Sequence, residues 1–398
     1  MTKIRYLIFF VSGIFFMGCR SSVSPDKELR LQIDSLVNMW VPDSREGICK
    51  VDFKNLSDNE ILLSGETNLP LAKEDILRYL ENAGIKYRDS LKVLPDPVEI
   101  DKPWGLVSVS VCNLKKNPSH AGELVSQAIM GTPVKILKKE GSWLLIQTPD
   151  YYIGWSTNSG IKELNQKELT EWRQSDRLIF TAKSGDIFSE NVKDDVISDI
   201  VKGSIINLIS RQGTYYTVEL PDGRKGKIEM KYCQDFNKWC SEAKPDPEKL
   251  ITFAKSLKGV PYLWGGTSTK MADCSGFLKT VYFTGGVILA RDASQQFRYG
   301  LAVDISSSFD SLQPGDQLFF GHLNSSGNKI ITHTGMYIGD AEVIHESGMV
   351  RVNSLDSTRS NYNRYLRNSI MGARRIIGNS SGKGTDYVVQ NNWYNLIP

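Results

Sequence analysis

Residues 260–282 read Val-Pro-Tyr-Leu-Trp-Gly-Gly-Thr-Ser-Thr-Lys-Met-Ala-Asp-Cys-Ser-Gly-Phe-Leu-Lys-Thr-Val-Tyr, and the rest of the 398-residue chain is read outward from them. Phe277, Leu278, Val281 and Tyr282 fall at the spacings that give a helix one buried face. Asp273 is the residue type that caps such a helix, which puts Cys274 in its first turn. Unpaired backbone N–H groups and the positive dipole end collect there and favour an anion. Such positions bring a thiol from ~8.5 to roughly 3.5–7.5, so a nucleophilic thiolate at neutral pH is the expectation.

A thiol nucleophile needs a base, and the base needs a group to orient it. The chain has four histidines, His120, His322, His333 and His345. Residues 329–338 read as a strand, 339–341 as a turn and 342–346 as the returning strand. A turn centred on residue 339 sets His333 opposite His345, and a centre one residue later makes them diagonal neighbours on one face. A centre halfway between would put them on opposite faces. His322 reads as a loop residue and His120 as a structural residue of its own domain.

Several motifs occur here in the order of a known family. They are Tyr-x-Trp-Gly-Gly, Asp-Cys-Ser-Gly-Phe, Leu-Gln-Pro-Gly-Asp-Gln-Leu-Phe-Phe over 312–320, Thr-His-Thr-Gly-Met-Tyr-Ile-Gly over 332–339, and Val-Ile-His over 343–345. Together, over about 245–377, they resemble the NlpC-type cysteine peptidases, papain-like bacterial cell-wall hydrolases. The resemblance implies Cys274 as nucleophile, His333 as base and His345 as the orienting third residue. It sets Asp273 and Ser275 beside the nucleophile as substrate-side residues, and Tyr262 near the scissile carbonyl.

Net charge is +3 with both signs mixed along the chain, so no basic surface for nucleic acid is expected. Lys3 and Arg5 precede an apolar run over 6–18, too short for a comfortable span and suited to a signal segment. It ends Phe-Met-Gly-Cys, which resembles a lipobox with Cys19 as the lipidated residue. A plain secretory signal cleaved near Gly18 is the alternative. A periplasmic protein, lipid-anchored to a membrane, is the resulting expectation. Setting Cys19 aside leaves Cys49, Cys112, Cys233, Cys240 and Cys274, an odd number, read mostly as free buried thiols. No Cys/His set has metal-ligand spacing, and no cofactor is expected.

In chain order the expected organisation is a signal peptide at 1–19, an α+β N-terminal unit at 20–103, a barrel at 104–161, a second at 175–240, the peptidase domain at 245–378 and a tail at 379–398. The N-terminal unit reads as a helix at 28–39, strands at 49–55 and 60–66, a helix at 71–82 and a strand at 85–94. Residues 162–174 read as a helical linker. Gly131/Gly203, Gly141/Gly213, Pro149/Pro221, Asp150/Asp222 and Gly154/Gly226 share one offset of 72 residues, which marks an internal repeat. The short alternating strands within it suggest small barrels and resemble bacterial SH3-like domains. The fold class is thus multidomain α+β: a papain-like domain, antiparallel sheet packed on helices, preceded by two SH3-like β-barrels and a small α+β unit. The tail carries no functional reading.

Residues 119–127 and the Tyr-Ile-Gly-Trp at 152–155 resemble the SH3-like domain of a peptide-recycling branch of that family. The resemblance implies that Glu123, Tyr152 and Asp292 hold the free α-amino group of an N-terminal L-Ala. Ala293 stands where the branch has a serine. The expected activity is cleavage between γ-D-Glu and the diamino acid of murein stem peptides bearing that free L-Ala, by a monomer. A remodelling endopeptidase on intact peptidoglycan, or a non-catalytic wall-binding protein, are the alternatives.

Overall fold

The computed structural model describes residues 25–57, 59–192, 194–306, 308–380 and 382–396. The expected signal segment and Cys19 lie outside them. Among the described residues, no helix is long and apolar enough to cross a membrane.

Helix Cys274–Phe283 organises the C-terminal unit, residues 245–378 of the expected division. Its Phe277, Leu278, Val281 and Tyr282 are buried against Leu250, Ala254, Met336 and Ile344. Each such side chain contributes about 1.5–3 kcal/mol by leaving water, so this one face fixes the helix on its sheet. The sheet is six-stranded, in the order Leu301–Val303, Ile370–Arg375, Gln317–Leu323, Lys329–Gly339, Glu342–Ser347, Met349–Ser354, and every pairing in it is antiparallel.

The two barrels repeat each other strand for strand. Pro133–Glu140, Trp143–Gln147 and Ile153–Thr157 recur as Ile205–Gln212, Tyr215–Glu219 and Lys225–Glu229 at the 72-residue offset. Equivalent strands have the same neighbours in the two seven-stranded sheets. Gly131 and Gly203 have φ of +79° and +89°, a left-handed turn that glycine takes without strain. The first barrel's last strand is Ile161–Leu164, and the linker helix, Gln166–Gln174, starts only after it. The expected boundary at 161 therefore cuts a strand.

The N-terminal unit packs helices Pro25–Trp40 and Pro70–Asn82 on strands Cys49–Ser57, Glu60–Thr67 and Lys86–Val93, the last two parallel. It does not hang from the chain. Ile48 is buried with Leu94, Leu137 and Leu145, the Ile153 N–H donates to the Arg45 carbonyl at 2.8 Å, and Gln147 donates to the Glu46 carbonyl at 3.0 Å.

The expected tail is part of the body. Thr385–Tyr387 pairs with Val287–Leu289, and Trp393 and Tyr394 are buried where the linker helix, the second barrel and the C-terminal unit meet. The five described cysteines are free and buried.

Candidate active site

Cys274 is the first residue of its helix. The Asp273 carboxylate caps that helix, accepting from the Gly276 N–H at 2.8 Å, and also accepts from the Gly265 N–H at 2.9 Å. It is gripped from below by Arg291, whose Nη2 lies 2.5 Å away and whose side chain is wholly buried. Arg291 also donates to Ser275 at 3.0 Å and to Ser126 of the first barrel at 3.1 Å. Asp273 and Ser275 were expected to face substrate. Both line the groove that opens on Cys274, and their polar groups are also bonded to each other and to Arg291. Glycine is required on both sides of this cap. A Cβ on Gly276 would stand 1.9 Å from the Gly266 carbonyl oxygen, and one on Gly265 would stand 2.5 Å from that of Leu124.

His333 stands on strand Lys329–Gly339, just past a bulge that leaves Thr332 unpaired between Ile331 and His333. Bulges of this kind re-aim side chains. On the next strand Gly335, not His333, pairs with His345, so the turn is centred on residue 340 and the two histidines are diagonal neighbours. His333 Nε2 and His345 Nδ1 are 2.8 Å apart. His345 Nε2 lies 2.9 Å from Asn353 Oδ1, and Asn353 donates its Nδ2 to the Asn361 carbonyl at 3.1 Å. That last bond fixes which end of the amide accepts. The protons then follow in order: His345 Nε2–H donates to Asn353, His333 Nε2–H donates to His345, and Nδ1 of His333 keeps a free lone pair. The backbone N–H of Thr334 points at the Cys274 sulfur, which seats the His333 strand against the head of the helix.

The expected low thiol pKa is not what this setting produces. Burial first, then the Asp273 charge, push the Cys274 thiol up to about 12, against the lowering effect of the Thr334 and Ser275 N–H groups. Burial and the neighbouring His345 pull His333 down to about 3. At rest both the Cys274 thiol and the His333 imidazole are therefore neutral. The helix start is outweighed because Cys274 is only 8% exposed and one carboxylate already occupies the cap.

Cys274 opens on a groove of about 1140 Å³ shared by three units. Tyr262, Trp264 and Thr332 stand on the catalytic side, Glu123 and Tyr152 on the first barrel, and Arg45 on the N-terminal unit. Trp264, 62% exposed, donates its ring N–H to Glu123 at 3.0 Å. Glu123 also faces Lys116 at 3.5 Å. Burial and Asp292 raise the Tyr152 phenol, so it stays a neutral hydroxyl. Asp292 lies at the same end, its Oδ2 held by Arg45 Nη1 at 2.7 Å. Arg45, Arg291 and Asn353 have no counterpart in the sequence reading. The other two histidines stand apart: His120 is exposed against the Trp143 ring, and His322 lies exposed on strand Gln317–Leu323 rather than in a loop. Among the described residues no His, Cys, Asp and Glu group is arranged to hold a metal ion.

Glu346, next to His345, is fully buried, and neither carboxylate oxygen has a hydrogen-bond partner among the described residues. Burial pushes it from its ordinary 4.5 up to about 7. The fold thus keeps a proton that the unfolded chain has already lost between those two values. Stability from this group is full below about pH 4.5 and is lost as the pH rises through about 7. We expect Glu346→Gln to stabilise the protein at pH 8 by on the order of 3 kcal/mol and to change little at pH 4.5. Urea denaturation at both pH values checks this, and an equal shift at both would contradict it.

Comparison with known proteins gives two domain matches. Residues 259–375 match the NlpC/P60 family, and residues 114–161 match the bacterial dipeptidyl-peptidase Sh3 domain. The chain is 30% identical over 268 residues to a gamma-D-glutamyl-L-lysine dipeptidyl-peptidase of Bacillus cereus, covering 65% of this chain and 77% of that one. It is 28% identical over 276 residues to dipeptidyl-peptidase 6 of Lysinibacillus sphaericus, covering 67% and 96%. Among solved structures, an NlpC/P60 family protein from Bacillus cereus superposes with a TM-score of 0.60 at 24% identity, over 69% of this chain and 99% of that one, a likeness of fold.

Proposed function

Since the chain belongs to the NlpC/P60 family and is a cysteine peptidase, we propose that it hydrolyses the bond between γ-D-Glu and the diamino acid of short cell-wall peptides that begin with a free L-Ala. One observation carries the reading. The groove that opens on Cys274 is lined by two carboxylates and a phenol, Glu123 and Tyr152 from the first barrel and Asp292 from the peptidase unit. Such a set suits an ammonium group through charge-assisted hydrogen bonds. The name of the Bacillus cereus relative, a gamma-D-glutamyl-L-lysine dipeptidyl-peptidase, supports the same bond.

In this reading the sulfur of Cys274 attacks the γ-carbonyl carbon while its proton passes to Nδ1 of His333. The carbonyl oxygen becomes an oxyanion, met by backbone N–H groups at the helix start and by the Tyr262 hydroxyl. His333 then returns its proton to the leaving amine of the diamino acid. Water hydrolyses the thioester, freeing L-Ala-γ-D-Glu and restoring the thiol. His345 and Asn353 hold the tautomer throughout. We further propose, on the sequence of residues 1–19, that the enzyme is anchored through lipid on Cys19 and works in the periplasm on recycled fragments, as a monomer.

The test compares L-Ala-γ-D-Glu-diaminopimelate with its N-acetylated form. A charge-assisted bond to the amine contributes about 1.5–3 kcal/mol, so acetylation is expected to lower kcat/KM roughly 10–100-fold. Equal rates would remove the free-amine requirement and favour a remodelling role on intact stems. Cleavage of neither would overturn the bond assignment.

A further inference from the structure

The N-terminal unit reaches into the groove through Arg45. Its Nη1 donates to Asp292 at 2.7 Å and to Ser294 at 3.2 Å, and its Nε and Nη2 donate to Asp43 at 2.8 and 2.6 Å. Four of the five guanidinium N–H donors are thereby engaged, and one on Nη2 is left. The side chain is 37% exposed, so the cation is fixed but open to the groove. It is held from behind as well. Asp43 also pairs with Arg298, and Glu46 pairs with Lys383 at 2.7 Å and accepts from Gln295 at 2.9 Å. Residues 43–48 are thus clamped between the first barrel and helix Ala293–Gln296.

This ion pair stands where the substrate proposed above, on which the inference rests, presents two charges of its own. A γ-linked D-Glu is attacked at its side-chain carbonyl, so its α-carboxylate is free and anionic. The L-Ala ammonium lies one peptide unit away, the two Cα atoms being about 3.8 Å apart. Both charges are on the same side of the scissile bond. The matching end of the groove offers Asp292 and Arg45 in direct contact. Asp292 gives one oxygen to Arg45. Its other oxygen faces Arg291 at 3.8 Å. The remaining cations of the groove are engaged elsewhere, Lys116 with Glu123 and Lys138 and Lys50 with Glu66.

We propose that Arg45 is a specificity-determining residue: Arg45 receives the free α-carboxylate of the γ-D-Glu residue while Asp292, held by it, receives the neighbouring ammonium. The arriving carboxylate takes the spare Nη2–H and displaces the Ser294 hydroxyl, the longest of the present bonds. The N-terminal unit is then part of the substrate site, and the enzyme distinguishes a γ-D-glutamyl peptide from its α-amidated, γ-D-isoglutaminyl counterpart. The amide is neutral and brings N–H groups toward a guanidinium that has nothing to accept them.

The experiment measures kcat/KM of the full chain on L-Ala-γ-D-Glu-Lys and L-Ala-γ-D-isoglutaminyl-Lys, for wild type, Arg45→Gln and Arg45→Lys. We expect wild type to favour the acid by tenfold or more. Arg45→Gln should bring the ratio to within about twofold of unity, and Arg45→Lys should retain part of the preference. The ratio compares two substrates on the same protein, so a partly misfolded variant does not alter it. A wild type without preference, or a preference that survives in Arg45→Gln, overturns the proposal. So does an equal loss on both substrates, which would mean that Arg45 acts only by holding Asp292. If wild type cleaves neither peptide, the bond assignment itself fails, an outcome distinct from all of these.

Discussion

Cys274→Ser is expected to lower kcat roughly 10⁴–10⁶-fold, the range seen when the nucleophile of a hydrolytic triad is removed. The side chain keeps its place, because the cap on Gly276, the Arg291 grip on Asp273 and the buried face of helix Cys274–Phe283 do not involve the sulfur. What changes is the acidity of the nucleophile against a weak base. His333 is pulled down to about 3, so it does not draw a proton from the resting group in advance. It accepts one only as the new bond to carbon forms and the field of the developing oxyanion appears. A thiol can meet that demand even when burial has raised it to about 12. An alcohol, several orders of magnitude less acidic, cannot. The measurement is single-turnover cleavage of L-Ala-γ-D-Glu-diaminopimelate, with thermal midpoints recorded alongside. Residual activity within tenfold of wild type, at an unchanged midpoint, would mean that another group attacks.

The parts of this site that can be read from sequence are those set by short-range rules. A period of 3.6 residues and an Asp one position before Cys274 define the helix and its cap. The turn glycines at a fixed offset define the repeated barrels, because only a handful of backbone turns suit those positions. Diagonal pairing of His333 and His345 was one of two favourable registers, and the centre at residue 340 selects it. Arg45 illustrates the opposite case. Its partner Asp292 is 247 positions away, and nothing local distinguishes this arginine from a surface charge. The neutral resting thiol was also out of reach, since it depends on burial by strands that the helix motif does not encode. Asn353 was closer to hand. His345 pairs with Arg351, so the residue two further on lies diagonally across from it, by the same geometry that joins the two histidines. The aromatic pair Trp393 and Tyr394 in the tail was likewise a sign of burial, and both side chains fill the junction around the linker helix.

His345→Leu is the second large effect, a fall in kcat on the order of 10³-fold with KM little changed. The argument rests on which nitrogen of His333 carries its proton. In the wild type the chain of hydrogen bonds ends on the Asn361 carbonyl, which accepts from Asn353; Asn353 accepts from His345 and His345 from His333, which leaves His333 protonated at Nε2 with Nδ1 free. Leucine offers no acceptor to Nε2–H. The ring can then take the other tautomer, with its proton on the nitrogen meant to accept, or turn about its bonds. Losing the orienting partner of a catalytic histidine costs up to about 10⁴-fold where that partner is a carboxylate. A neutral imidazole stabilises the developing imidazolium less, so its removal costs less. His345 is 2% exposed and makes no approach to the groove, so substrate binding should be spared. Asn353→Leu acts one step further out and is expected to lower kcat about 10–100-fold, as second-layer partners of an active group do. In the double variant the two losses should fail to add, because both remove the same proton order. Full additivity would show that Asn353 reaches the chemistry by some route other than His345. A KM rise with kcat intact in His345→Leu would place this histidine in substrate binding and undo the relay.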